Sequence, residues 1–141
     1  MNKFRRLTVF LAEDNPDDIE IARRAFKRSK LGCDLVIARD GEEALKKLSE
    51  PSFHPDFAIM DINLPKLTGL QVLERVRKEK RLIGVPFVML SASDREEDVR
   101  ASYELCANSY IQKPVVFEDF VETIAVLEKY WFEVARLPRS T

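Results

Sequence analysis

The chain has 141 residues, a length suited to one domain, and is 45% hydrophobic and 33% charged, the balance of a folded globular protein and not of a disordered one. At that size folding buries roughly 68–70% of the surface that the unfolded chain exposes, enough for a real core. The net charge of -1 argues against a nucleic-acid binder that relies on a broad basic surface, and no apolar stretch approaches the ~20 residues needed to span a bilayer.

Short apolar runs alternate with longer amphipathic stretches, the pattern of strand–helix–strand units around a parallel sheet. Residues 1–6 carry charge, but the apolar run behind them is short and meets Glu13-Asp14 at once, so 7–12 reads as a strand and not a signal peptide. Asn15-Pro16-Asp17-Asp18 supplies a cap, a proline suited to the first helical position and first-turn acids, with Ile19, Ala22 and Phe26 behind at helical spacing. A weaker strand over 34–38 reads as a sheet edge. Asp40-Gly41-Glu42-Glu43 has the form of a capping box ahead of Ala44, Leu45 and Leu48.

After turn-forming residues 49–55, a third strand spans 56–60 and is nearly continuous in apolar residues, as expected when helices cover both faces. Thr68-Gly69-Leu70-Gln71 opens a third helix, whose basic end (Arg75, Arg77, Lys78, Lys80, Arg81) reads as solvated cations complementing the helix dipole. A fourth strand covers 86–90. Ser93-Asp94-Arg95-Glu96 repeats the capping-box form before Val99, and 109–111 makes a fifth strand. The last helix puts Phe117, Phe120, Ile124, Leu127 and Trp131 on one core stripe, with Val121, Ala125 and Phe132 on a second face beside it. Residues 137–141 read as a frayed tail. The expected architecture is one (βα)5 α/β domain over 1–141, with no repeat, linker or output domain.

The strand ends carry the chemistry. The first run ends at Glu13-Asp14, the third at Asp61, the fourth at Ser91 and the fifth at Lys113. Ligands of an open parallel sheet bind beyond the carboxyl ends of its strands, so neighbouring strands would bring these residues to one edge. Three carboxylates at close range repel one another unless a cation is present, and hard oxygen donors of this kind suit Mg2+. A phosphoryl group at Asp61 would be neutralised by Mg2+, the Lys113 ammonium and the Ser91 hydroxyl, acting through position and electrostatics.

Each residue has a duller explanation. Glu13 and Asp14 are acids before a helix, Ser91 suits a turn, and lysines such as Lys113 usually lie on the surface. An aspartate delivered by four apolar residues is harder to dismiss, and the ordered set outweighs its parts. His54 is the single histidine and reads as a loop bystander. Cys33 and Cys106 form no disulfide framework or close-spaced metal motif and read as buried or half-buried thiols of a reducing compartment.

With Glu13-Asp14, Asp61 followed by Pro65 and Gly69, Ser91-Ala92, Tyr110 and Lys113-Pro114 in this order, the chain resembles a bacterial two-component response-regulator receiver domain along essentially its whole length. Glu13-Asp14-Asn15-Pro16-Asp17-Asp18 and Tyr130-Trp131-Phe132 resemble, more narrowly, the small stand-alone regulators partnered with bacterial phytochromes. The resemblance implies a flavodoxin-like fold, with a five-stranded parallel sheet in order 2-1-3-4-5 and helices on both faces. It implies that Asp61 accepts a phosphoryl group from a phosphohistidine on a sensor histidine kinase, a bacteriophytochrome in the narrower reading. Mg2+, or Mn2+ in its place, would be held by Asp14, Asp61 and the Asn63 backbone carbonyl, with Glu13 acting mainly through water.

By the same resemblance Lys113 pairs with the phosphoryl group, Ser91 shifts to bond it, and Tyr110 turns inward. Asn63 and Ser93 tune the lifetime of the phosphorylated form, and the Lys113–Pro114 bond is cis. Output would pass by homodimerisation through the face of helix four, strand five and helix five, by binding, or by relay to a downstream phosphotransfer protein. Nucleic acid and membrane are not expected partners, and the cytoplasm is the expected compartment. With one histidine in the chain, the phosphohistidine donor must be another protein.

Two other functions are weighed. Phosphatases of the haloacid-dehalogenase type also use an aspartyl nucleophile after a strand but need a second aspartate two residues on as acid/base, where this chain has Asn63. A phosphorylation-independent binding module on the same fold would not need the full set of site residues.

Overall fold

The computed structural model describes residues 6–28 and 32–138. Five strands, β1 (Leu7–Ala12), β2 (Cys33–Ala38), β3 (Phe57–Met60), β4 (Phe87–Ser91) and β5 (Ser109–Gln112), alternate with five helices. These are α1 (Pro16–Lys27), α2 (Gly41–Leu48), α3 (Gly69–Val76), α4 (Glu96–Glu104) and α5 (Phe117–Lys129). All strand pairs are parallel, in the order β2-β1-β3-β4-β5, so β2 is an edge as its weaker pattern predicts.

Side-chain alternation along the strands sorts the core into two halves. Val9, Leu11, Ile59 and Val88 face α1 and α5, where they meet Phe26 and Ile124. Phe10, Met60 and Met89 face the opposite side, with Leu48 of α2 and Val72 and Leu73 of α3. Neither face of β3 or β4 reaches solvent, which is why those strands are apolar throughout.

Helix starts follow the local signals at three of the four sites. Asn15 Oδ1 accepts from the N–H groups of Asp17 and Asp18, with Pro16 at the first helical position. Thr68 and Gln71 form a reciprocal capping box. Asp40 accepts from Glu43 N–H at 2.7 Å, while Glu43 reaches back to Arg39 N–H.

The fourth start differs. Ser93 does not cap α4, which begins three residues later at Glu96 without a side-chain cap. Its hydroxyl instead donates to Asp98 at 2.6 Å and accepts from Arg95 N–H.

The stripe on α5 is also revised. Phe120, Ile124 and Leu127 are buried, but Phe117 is 59% exposed and Trp131 only half-buried, stacked on Phe57. Phe132, expected on the second face, is buried against Phe26. For Trp131 and Phe132 the cause is a change of pitch: after Lys129 the chain continues as a π turn over Tyr130–Val134, closed by Ala135 N–H on the Tyr130 carbonyl. Its wider turn rotates Phe132 inward. Of the tail read as frayed, Leu137 packs on the α1/α5 half of the core, and residues 139–141 lie outside the described residues.

The basic end of α3 is not simply solvated. Arg77 donates to the carbonyls of Cys106, Leu82, Ile83 and Val85 and to the Asn108 side chain, and its guanidinium lies 4.7 Å from the Phe87 ring centroid. Arg81 donates to the carbonyls of Phe53 and Leu48. Both arginines staple loops at the amino edge of the sheet.

Cys33 is half-buried as expected, and burial first, with the Asp34 charge next, pushes its thiol up to about 12. Cys106, expected to be at least half-buried, is exposed. It sits at positive φ (69°) just beyond α4, where the chain reverses and turns its side chain outward. No helix among the described residues is long and apolar enough to cross a membrane.

Candidate functional site

The site is built by continuing the sheet ladder one residue past β1, β3 and β5. Glu13 N–H donates to the Ala38 carbonyl at 3.0 Å, Asp61 N–H to the Ala12 carbonyl at 3.0 Å, and Lys113 N–H to the Ser91 carbonyl at 2.6 Å. The residues that follow β1, β3 and β5 are thus each held by the last carbonyl of a neighbouring strand. The close loop after β3 depends on Gly69, where an added Cβ would lie 2.1 Å from the Asp61 carbonyl oxygen.

Lys113 is the hub. Its Nζ lies 2.6 Å from Glu13 Oε1, 2.9 Å from Asp18 Oδ2 and 3.2 Å from Asp61 Oδ2. All four side chains are at most 18% exposed. Asp18 is the member that the strand-end rule missed. Its only mark in the sequence is an acid in a first helical turn, which the helix dipole explains without any site.

Glu13, Asp14 and Asp61 offer carboxylate oxygens that all lie within 4.8 Å of one another. Burial is the main reason the Glu13 carboxyl is raised above its ordinary value. The Asp61 charge adds to that, and the Lys113 bond offsets only part. Burial alone would lower Lys113, but its bonds to Glu13 and Asp18 and the charges of Asp61 and Glu13 outweigh it and hold the ammonium above the ordinary lysine value. One cation shared among several carboxylates is over-compensated, while Glu13 stays under-compensated. A set of hard oxygen donors, buried at Glu13 and Asp61 and exposed at Asp14, with surplus negative charge is the donor chemistry that suits a small divalent cation.

The remaining predicted residues form a second line behind the acids. Asp61 Oδ1 accepts from Asn63 N–H at 3.0 Å, and Asn63 Nδ2 lies 3.5 Å from the fully buried Ser91 hydroxyl. Ser91 Oγ also accepts from Ser93 N–H at 3.3 Å. The Ser93 carbonyl accepts the Tyr110 hydroxyl at 2.6 Å, with the Tyr110 ring half-buried against the core. Ser91 is therefore linked to Tyr110 through one residue.

No peptide bond among the described residues is cis, so the Lys113–Pro114 bond is trans, contrary to expectation. The lysine reaches its carboxylates from that geometry, and trans is the lower-energy isomer for a bond to proline. His54 is exposed and lies before β3, at the end of that strand opposite to Asp61.

The profile of the response regulator receiver domain family matches residues 9–125. This chain belongs to that family. The receiver domain is a unit of phosphorylation-dependent two-component signalling. It is 34% identical over 137 residues to response regulator Rcp1 of Synechocystis sp., covering 94% of this chain and 93% of that protein. Among solved structures, the phosphorylated cyanobacterial phytochrome response regulator RcpA superposes with a TM-score of 0.92 at 33% identity, over 95% of this chain and 99% of that one. The Mn2+-bound form of Rcp1 superposes at 0.90, also with 33% identity, over 94% and 99%. The receiver fold, with its sheet order 2-1-3-4-5, is thus established on both topology and likeness.

Proposed function

We propose that Asp61 accepts a phosphoryl group from a phosphohistidine of a sensor histidine kinase, and that the receiver unit over 1–141 signals through the resulting change of shape. A single observation carries this reading. Asp61 is buried at the end of β3 with one oxygen 3.2 Å from the Lys113 ammonium, inside a cluster of carboxylates. An Asp61 carboxylate oxygen attacks phosphorus, forming an O–P bond as the P–N bond breaks. The electron pair leaves on the kinase's imidazole nitrogen. Lys113 stabilises the charge on the transferred group by electrostatics.

Glu13, Asp14, Asp61 and the Asn63 backbone carbonyl would hold Mg2+, or Mn2+ as in the Rcp1 structure. When bound, the metal supplies charge neutralisation at the phosphoryl oxygens. Ser91 then turns its hydroxyl from Ser93 N–H to the phosphoryl group. That loosens the loop whose Ser93 carbonyl anchors Tyr110, and Tyr110 moves with it. Asn63 and Ser93, the residues proposed to tune phosphoryl lifetime, are the ones bonded to Asp61 and Ser91. Loss of the phosphoryl group occurs at the same site by hydrolysis: a water oxygen bonds to phosphorus as the Asp61 O–P bond breaks, releasing inorganic phosphate and the free carboxylate, so the chain acts on itself and not on an external substrate.

Likeness to Rcp1 and RcpA supports a phytochrome-type kinase as the donor. The lone His54 lies at the other end of β3 from Asp61, which supports a donor in another protein; a cytoplasmic kinase partner is part of the same proposal. For output we propose a homodimer through α4, β5 and α5, or binding to a downstream phosphotransfer protein by the same face. Tyr103 of α4 is 49% exposed there and Val126 of α5 60%.

Incubation with Mg2+ and acetyl phosphate is expected to add one hydroxylamine-labile phosphate, absent in Asp61→Asn. An unmodified wild type refutes the reading. Sedimentation velocity tests the dimer: a monomer at high concentration in both phosphorylation states rules it out. A phosphotransfer profile against the host's sensor kinases tests the phytochrome link.

A further inference from the structure

Asp18 follows no strand, yet the Lys113 ammonium lies closer to it (2.9 Å) than to Asp61 (3.2 Å). It is not a loose surface acid. Glu13 Oε2 accepts from Asn15 N–H at 3.1 Å, and Asn15 Oδ1 accepts from Asp18 N–H at 3.2 Å as the cap of α1. Glu13 Oε1 and Asp18 Oδ2 then meet at Lys113 Nζ, at 2.6 and 2.9 Å. The four residues close a ring of hydrogen bonds. The position of the ammonium is therefore set by the start of α1 as much as by the phosphoryl-accepting carboxylate.

We propose that Asp18 is a positioning residue that holds the Lys113 ammonium back from Asp61, leaving the acidic cluster open to a divalent cation, and releases it toward an arriving phosphoryl group. This rests on the reading of Asp61 as the acceptor. Without Asp18 the lysine settles fully on Glu13 and Asp61. There its charge competes with a bound cation, and the site has lost one of the negative charges that attract it. The same change leaves the ammonium beside Asp61, where an arriving anion would meet it, and removes a negative charge that repels that anion. The two effects have opposite signs. A merely structural loss would weaken both kinds of binding together.

The test is calorimetric titration of the full chain with MgCl2 and, at saturating Mg2+, with beryllofluoride as a phosphoryl mimic. Asp18→Asn is expected to weaken Mg2+ binding about tenfold, the low end of what losing an outer-shell partner costs a metal site. The same variant should bind beryllofluoride more tightly than the wild type. Asp18→Glu should restore both affinities toward wild type. Asp17→Asn, which removes the same charge from the exposed neighbouring position, should move both far less. Affinities that fall together, that do not change, or that Asp17→Asn reproduces overturn the proposal. A wild type that takes up neither Mg2+ nor phosphate from acetyl phosphate overturns the underlying reading of Asp61 and this proposal with it. A wild type that takes up both, beside an unchanged Asp18→Asn, overturns the proposal alone.

Discussion

Lys113 and Glu13, a hundred residues apart in the chain, meet at 2.6 Å in a site that is almost closed to solvent. Removing the ammonium leaves Glu13 and Asp61 buried without their cation. Lys113→Met should destabilise the metal-free protein by about 3 kcal/mol, the range for breaking a buried pair from one side. Added Mg2+ should recover part of that loss. Urea denaturation with EDTA and with Mg2+ measures both. Because Lys113 is raised in the folded state, its contribution is fully present below the ordinary lysine value and is lost as pH rises through the folded one. The variant should lack that alkaline decline.

Glu13 changes stability in the same direction, but in the acid range. Its carboxyl is raised by burial, so between the ordinary glutamate value and the raised one the folded state binds more protons than the unfolded state. Stability of the metal-free protein should fall as pH rises through that window. Glu13→Gln should flatten this limb of the profile, read as the thermal midpoint against pH in EDTA.

Arg77 should matter more for stability than a helix-end cation. Its forked guanidinium satisfies several carbonyls at once and lies over Phe87. Arg77→Ala should cost about 2–3 kcal/mol in urea denaturation, as charged hydrogen bonds to half-buried carbonyls are lost. Arg77→Lys should recover little of it, since an ammonium cannot span the same set.

Gly69 couples the start of α3 to the position of Asp61. A methyl group there meets the Asp61 backbone at 2.1 Å, and its N–H bonds the Ile62 carbonyl at 2.8 Å. Overpacking of this kind costs about 1–3 kcal/mol. Gly69→Ala should lower the thermal midpoint and also weaken Mg2+ binding, because relief of the clash displaces the loop that carries Asp61.

Much of this was legible from residue patterns. The five strands fall within one residue of their expected ends, since a change from apolar to polar marks where a chain leaves the core. The same change singles out Glu13, Asp14, Asp61, Ser91 and Lys113 as candidates. Phe132 departs from the helical wheel because the wheel assumes constant pitch and a π turn breaks it, whereas Phe117, the first residue of α5, lies far upstream of that turn and is exposed. Ser93 misleads because a serine three residues before a glutamate looks the same whether its hydroxyl caps a helix or binds Asp98.

Strand alternation, capping boxes and strand-end acids depend on neighbours a few residues apart, so they are written in the chain and needed no folded structure to be read. The partners of Lys113 and Arg77 are of another kind. Lys113 reaches Asp18 across 95 positions, and Arg77 reaches Asn108 across 31. Such pairings depend on which strands lie side by side and how far a helix tip projects over the sheet edge. Charge and spacing along the chain carry no record of that distance, which is why Asp18 emerged only when the parallel sheet had brought α1 and β5 to the same edge.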